Sequence, residues 1–226
     1  MKKILLFLFL LFSSFVFNNM TGSDTENRVN DEMNRILTEK IAELQKKMYL
    51  QNLIQYIEFE SEVIIPDYID TKYIEYIYNV ADTLKIPTRV AFRLVYRESS
   101  FIDTITSPMG AHGLTQLMPS TKQIYQSLLR TDTLKLDRDE EDIYIGLNYL
   151  KDLYSFWKER GNNDKISWKL SLASYNAGKG RVLYYRGIPP YQQTIDFVSF
   201  VYRTHSNPDF YASFIKKYEI KIKNRS

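Results

Sequence analysis

Apolar residues recur at three- and four-residue spacing along most of the chain and nowhere alternate for long enough to build a large sheet. The pattern predicts a mainly α protein. Its longest uninterrupted stretch covers residues 24–60, which lack Gly and Pro and carry Met33, Leu37, Ile41, Leu44 and Met48 on one stripe. This reads as one amphipathic helix roughly 50 Å long. Pro66-Asp67 breaks the pattern, and shorter helices are expected beyond it, over residues 71–86 ahead of Pro87 and then 88–100. Pro119 suits the first turn of a helix to about residue 130, and the acidic run of residues 137–142 opens another that extends towards Gly161. Further helices are expected near residues 167–177, 192–202 and 208–218.

At the other end, Met1-Lys2-Lys3 precedes an apolar run from Ile4 to Phe17, the layout of a secretory signal or an uncleaved membrane anchor. The expected organisation is therefore a signal peptide or anchor in residues 1–22, an amphipathic helical segment in 23–65 and a catalytic domain in 66–226. A chain so led is expected outside the cytoplasm, in the periplasm or elsewhere in the cell envelope. The stripe on the long helix could serve a packing role, self-association or docking to envelope machinery.

Composition narrows the chemistry. With 44% hydrophobic and 25% charged residues, 226 residues can bury a sizeable core. The formal charge of +3 falls to +1 once Lys2 and Lys3 are set aside, so electrostatics nominates no nucleic-acid partner. There is no cysteine and there are only two histidines, which argues against disulfides, a metal centre or any cofactor held by thiolates. The 18 tyrosines and 13 phenylalanines suit stacking on sugar faces, although most belong in a core.

One carboxyl stands out. In the stretch Arg89 to Phe101, helical spacing places Ala91, Leu94, Val95 and Glu98 on one face. Burial and the negative helix end would both favour the protonated form of Glu98, leaving a carboxyl able to donate a proton near neutrality. Surface pairing of Glu98 with Arg93 or Arg97 is the plain alternative. Downstream, Ser107-Pro-Met-Gly110-Ala-His-Gly113-Leu-Thr-Gln116-Leu-Met118-Pro119 joins two glycines to an amide and a thioether. Such a loop permits close backbone approach to a ligand, or is merely a tight turn.

The order of these residues resembles that of the soluble lytic transglycosylases of the SLT type, which share the goose-type lysozyme fold. The E-S-x-F signature stands as Glu98-Ser99-Ser100-Phe101. The S-P-x-G-A-x-G-L-M-Q-x-M-P-x-T block stands as Ser107 to Thr121, with Thr115 in place of the usual Met. An N-I-x-x-G-x-x-Y-L block begins at Asp142, which replaces Asn, and A-x-Y-N-A-G-x-G-R-V is complete from Ala173 to Val182. A final E-T-x-x-Y element appears as Gln193-Thr194-Ile195-Asp196-Phe197, with both outer positions changed. The resemblance covers about residues 73–202.

What the resemblance implies is a lysozyme-like helical domain in which Glu98 is the only acid and base. It would cleave the β-1,4 bond between N-acetylmuramic acid and N-acetylglucosamine of peptidoglycan and form a 1,6-anhydro end without adding water. Ser107, Gln116, Met118, Tyr175 and Gln193 would line the groove or orient the glycan strand, and no metal or cofactor would be needed. Asn176 and Gly178 would shape the helix end that presents Tyr175. Two other functions fit the same residues: a muramidase hydrolase using Asp103, Asp137 or Asp196 as a second carboxylate, and a non-catalytic peptidoglycan anchor.

Overall fold

A computed structural model describes residues 24–203 and 207–223, so the apolar run of residues 4–17 lies outside the described residues. Among the described residues there are nine α-helices and no strand: α1 (Asp24–Ser61), α2 (Thr71–Thr83), α3 (Thr88–Ser99), α4 (Pro119–Leu129), α5 (Arg138–Lys158), α6 (Asp164–Ala177), α7 (Lys179–Tyr185), α8 (Gln192–Val201) and α9 (Pro208–Lys223). A one-turn 3-10 helix, Thr131–Thr133, follows α4. The mainly α class read from the sequence is the class of the molecule. Helix α7 was not expected, because Gly178 and Gly180 mask its short apolar pattern, and α6 begins three residues early because Asn163 caps the Ile166 amide.

The chain divides into two compact units, Met1–Tyr49 and Leu50–Ser226. In the first, Met33, Ile41, Leu44 and Met48 of α1 are 43–45% exposed. Exposed i,i+3 pairs, Arg35 with Glu32 at 2.6 Å and Lys40 with Glu43 at 2.6 Å, decorate the same helix and contribute only tenths of a kcal/mol each.

In the second unit the last turns of α1 enter the core. Leu53 and Ile57 are buried, and so is Glu58, whose carboxylate accepts from the Ile65 amide at 2.7 Å and the Tyr218 hydroxyl at 2.6 Å and pairs with Lys217 of α9. The chain leaves α1 through Glu62 in the left-handed region, and this residue forms ion pairs with Arg93 of α3 at 3.3 Å and Arg203 at 3.0 Å.

Helix α3 sits at the centre. Every residue from Val90 to Val95 is buried, so this helix is enclosed on all sides instead of on the single face that its spacing predicted. The reason is its neighbours: α2 and α8 pack on it directly, Tyr96 stacks on Phe200 of α8 at 5.9 Å, and Arg93 reaches the carbonyl of Ser61. Helix α5 starts from a capping box, with Asp137 accepting from the Glu140 amide and the Glu140 side chain accepting from the Asp137 amide. It packs along α6 through Leu150, Trp157, Trp168 and Leu172, and Trp157 donates to the Ser174 hydroxyl at 2.9 Å.

Candidate active site

Glu98 lies in the last turn of α3. Among the described residues its carboxyl has no hydrogen bond and no ion pair. Arg93, one surface partner conceivable from sequence, is instead buried against Glu62, and exposed Arg97 acts on Glu98 only through its charge. Burial pushes the Glu98 carboxyl up to about 8 against the opposing pull of Arg97. The carbonyl end of the helix acts in the same direction as burial. Both effects favour the neutral carboxylic acid over the carboxylate.

The chain turns sharply straight after this residue. Ser100 and Phe101 both adopt left-handed backbone, φ 52° and 62°, at a cost of roughly 1–2 kcal/mol each. Packing offsets it: Phe101 is 3% exposed, with its ring 6.4 Å from Phe92 and 6.0 Å from Tyr96, and the Tyr68 hydroxyl donates to the Ser100 carbonyl at 2.6 Å.

The loop after it is held by its own polar groups. The Ser107 hydroxyl accepts from the Ala111 amide at 3.0 Å, so this residue closes the turn at Gly110. Gln116 has φ 50°, and its Nε2 donates to the carbonyls of Ile105 at 2.9 Å and Gly113 at 2.8 Å, while its Oε1 accepts no hydrogen bond among the described residues. Met118 is 40% exposed, immediately ahead of Pro119 at the start of α4. Gly113 is required twice over: its φ is +83°, and a Cβ there would come within 3.0 Å of the Asp142 carboxyl.

Tyr175 joins the two parts. Its hydroxyl donates to the Thr115 carbonyl at 2.8 Å, and its ring lies 5.2 Å from that of Tyr149, which in turn meets Tyr125 at 5.3 Å. Burial pushes the Tyr175 hydroxyl well up, and the charges of Glu98 and Asp142 add to the effect, so Tyr175 sits within electrostatic reach of both carboxyls. Glu98, Gln116 and Tyr175 thus share one neighbourhood although 77 residues of sequence separate the first from the last.

Gln193 is exposed on the first turn of α8, and its side chain makes no hydrogen bond among the described residues. Its neighbour Thr194 donates to the Asn176 side chain at 2.9 Å, which ties that turn to the end of α6 next to Tyr175. The carboxylates considered as second groups are occupied elsewhere. Asp103 pairs with Arg138 at 2.7 Å, Asp137 caps α5 and pairs with Lys72 at 2.8 Å, and Asp196 accepts from Gln192 at 2.8 Å. Among the described residues no group of three His, Asp or Glu is arranged to hold a metal ion.

Two residues of this neighbourhood were visible in sequence only as departures from a motif. Thr115 and Asp142 are both buried and bonded to each other, and Gly146, one turn along α5, is the glycine that lets Thr115 fit.

Residues 75–196 match the family model described as the transglycosylase SLT domain. The chain is 34% identical over 121 residues to a soluble lytic murein transglycosylase of Escherichia coli K12, across 52% of this chain and 17% of the relative. It is 33% identical over 115 residues to the protein of the same name from Salmonella typhimurium, across 49% of this chain and 16% of that one. The chain therefore spans less than a fifth of the length of the curated relatives it matches. Among solved structures, the 70 kDa soluble lytic transglycosylase from Escherichia coli aligns with 69% of this chain and 28% of its own, at 25% identity and a TM-score of 0.47.

Proposed function

As the chain belongs to the transglycosylase SLT domain family, whose model covers more than half of it, we propose that it is an exported peptidoglycan lytic transglycosylase with Glu98 as its single acid and base. The observation that carries this reading is the Glu98 carboxyl itself: partly buried, without a hydrogen-bond or ion-pair partner among the described residues, pushed up to about 8 by burial, and close enough to Tyr175 for its charge to act there.

The chemistry needs only one such group. Glu98 gives its proton to the oxygen of the β-1,4 bond as the C1–O4 bond of N-acetylmuramic acid breaks, and N-acetylglucosamine leaves with that proton as its new hydroxyl. The ionised Glu98 then takes the proton of the muramic C6 hydroxyl while O6 bonds to C1, closing the 1,6-anhydro ring and restoring the acid. The atoms balance without water. Burial serves both steps, because an acid of raised pKa gives a carboxylate that is basic enough to accept the second proton.

In this reading Gln116 presents Oε1 to an amide or hydroxyl of the glycan, Met118 offers an exposed thioether face and Gln193 stands at the rim. Tyr175 and Ser107 act by holding the loop, since their hydroxyls are engaged within the protein. The signal-like run fits export to the envelope, where peptidoglycan lies.

The test is mass spectrometry of the soluble products released from purified peptidoglycan by wild type and by Glu98→Gln. Anhydro ends from wild type alone are expected. Reducing ends would replace this mechanism with hydrolysis, and binding without any product would make the domain an anchor.

A further inference from the structure

The departures from the SLT motif at positions 115 and 142 are in contact with each other. Oδ2 of Asp142, in the first turns of α5, accepts from the Thr115 amide at 2.8 Å and from its hydroxyl at 3.0 Å, and the same hydroxyl lies 3.1 Å from the Asp142 carbonyl. On its other side the Thr115 carbonyl accepts from Tyr175 of α6. All the polar groups of Thr115 are thereby used, by two helices, in a residue that is 0% exposed. A Cβ on Gly146 would lie 2.5 Å from the Thr115 side chain, so the contact has no slack. Lys122 of α4 stands 3.5 Å from Oδ1 of Asp142 and supplies the counter-charge that a buried carboxylate requires.

From this geometry we infer that Asp142 is a positioning residue for the proposed reaction: through Thr115 it latches the Gln116 loop between α5 and α6 and fixes Gln116 in its left-handed conformation beside Tyr175 and Glu98. An amide at 142 with an apolar side chain at 115 would keep only a neutral hydrogen bond from the backbone N–H of residue 115. Here the hydrogen bond is charge-assisted, and the hydroxyl at 115 is the complement of the carboxylate at 142. Asp142 touches neither glycan nor reacting atoms, and its effect on turnover passes through the placement of Gln116.

The turnover part of this inference rests on the transglycosylase reading, whereas the latch itself does not. The experiment therefore has two readouts on full-length protein: residue-resolved amide exchange, and kcat and KM for anhydro-product release from uncross-linked glycan strands. In Asp142→Ala, amides of residues 113–118 are expected to exchange about 100-fold faster while those of Leu147 and Leu172 keep their protection. Turnover should fall at least about tenfold with KM within about twofold, as befits loss of a buried hydrogen-bonded anchor. Thr115→Val should reproduce part of the turnover loss, and combining it with Asp142→Ala should add nothing further. Should Asp142→Ala prevent folding, Asp142→Asn, which keeps an acceptor for the Thr115 amide, is expected to show the same pattern to a smaller degree.

Unchanged exchange in the loop, uniform acceleration across α5 and α6, or a loosened loop with full turnover would each overturn the inference. If wild type releases no anhydro product, the functional reading fails, and loop exchange still decides the latch.

Discussion

Replacing the proposed acid should make the protein more stable, by an amount that depends on pH. Glu98 titrates at about 8 in the folded chain against an ordinary 4.5. Between those values the folded state holds a proton that the unfolded state releases, so stability falls as pH rises, by about 1.4 kcal/mol per pH unit, and the accumulated loss reaches about 4 kcal/mol at pH 7.5. Glu98→Gln removes this slope. The amide has its own burial cost of about 1–2 kcal/mol when unpaired, which is independent of pH, so a net gain of about 2–3 kcal/mol is expected at pH 7.5 and none at pH 5. Urea unfolding of both proteins at pH 5, 6, 7 and 8, with the difference in stability plotted against pH, isolates the one group because all others cancel. A difference that stays flat from pH 5 to 8 would refute the argument: Glu98 would then ionise as an exposed carboxyl does and could not serve as an acid at neutrality.

Turnover of wild type should decline with a one-proton dependence as pH rises through about 8, where Glu98 loses its proton, as read from initial rates of product release between pH 6 and 9.5. Tyr175→Phe, which leaves the Thr115 carbonyl without its donor, should lower stability by about 1 kcal/mol and turnover by a larger factor, measured by urea unfolding and product release on the same preparations. Gly146→Ala should cost about 1–3 kcal/mol in the same unfolding assay, because its methyl group would lie 2.5 Å from a Thr115 that is fixed at both faces. Residues 50–226 should unfold cooperatively, whereas residues 66–226, lacking Leu53, Ile57 and the Glu58 anchor, should show a broad or early transition in thermal melts followed by near-ultraviolet dichroism.

Much of the fold was legible because its signals are local. Pro87 separates two helices, Pro119 and the acidic run of residues 137–142 mark helix starts, and the 3.6-residue rhythm of α5 and α6 needs no partner to be seen. The candidate site was legible as an ordered set of residues: Gln116 and Tyr175 are both bonded to the loop backbone, and the Glu98 charge acts on Tyr175. What local pattern could not convey is which polar group goes to which neighbour. Ser107 and Tyr175 read as groove residues, and the structure shows their hydroxyls bonded to backbone: that of Ser107 within its own turn, and that of Tyr175 across to Thr115, which depends on how close α6 lies to the loop. The enclosure of α3 was hidden likewise, since Val90, Phe92 and Arg93 face neighbours from remote parts of the chain, and Arg93 looks like a surface charge until Glu62 and Ser61 are brought to it.

The burial of the last turns of α1 bears on how such a domain travels between proteins. The span that matches the family model ends at residue 196 and begins at 75, but Ile57, Val63, Ile65, Ile69 and Ile74 on one side and Val198 and Val201 on the other are part of the same core. The recognisable block is therefore not a portable unit. Moved alone into another host, it would carry the Glu98 neighbourhood with an open back, and each new setting would have to supply its own segments to seal it. Here the end of a long helix and a terminal helix, clasped through Glu58 and Lys217, do the sealing. Tolerance for different flanking sequence would follow from this arrangement: what the block demands of its surroundings is apolar cover, a requirement that many sequences can meet.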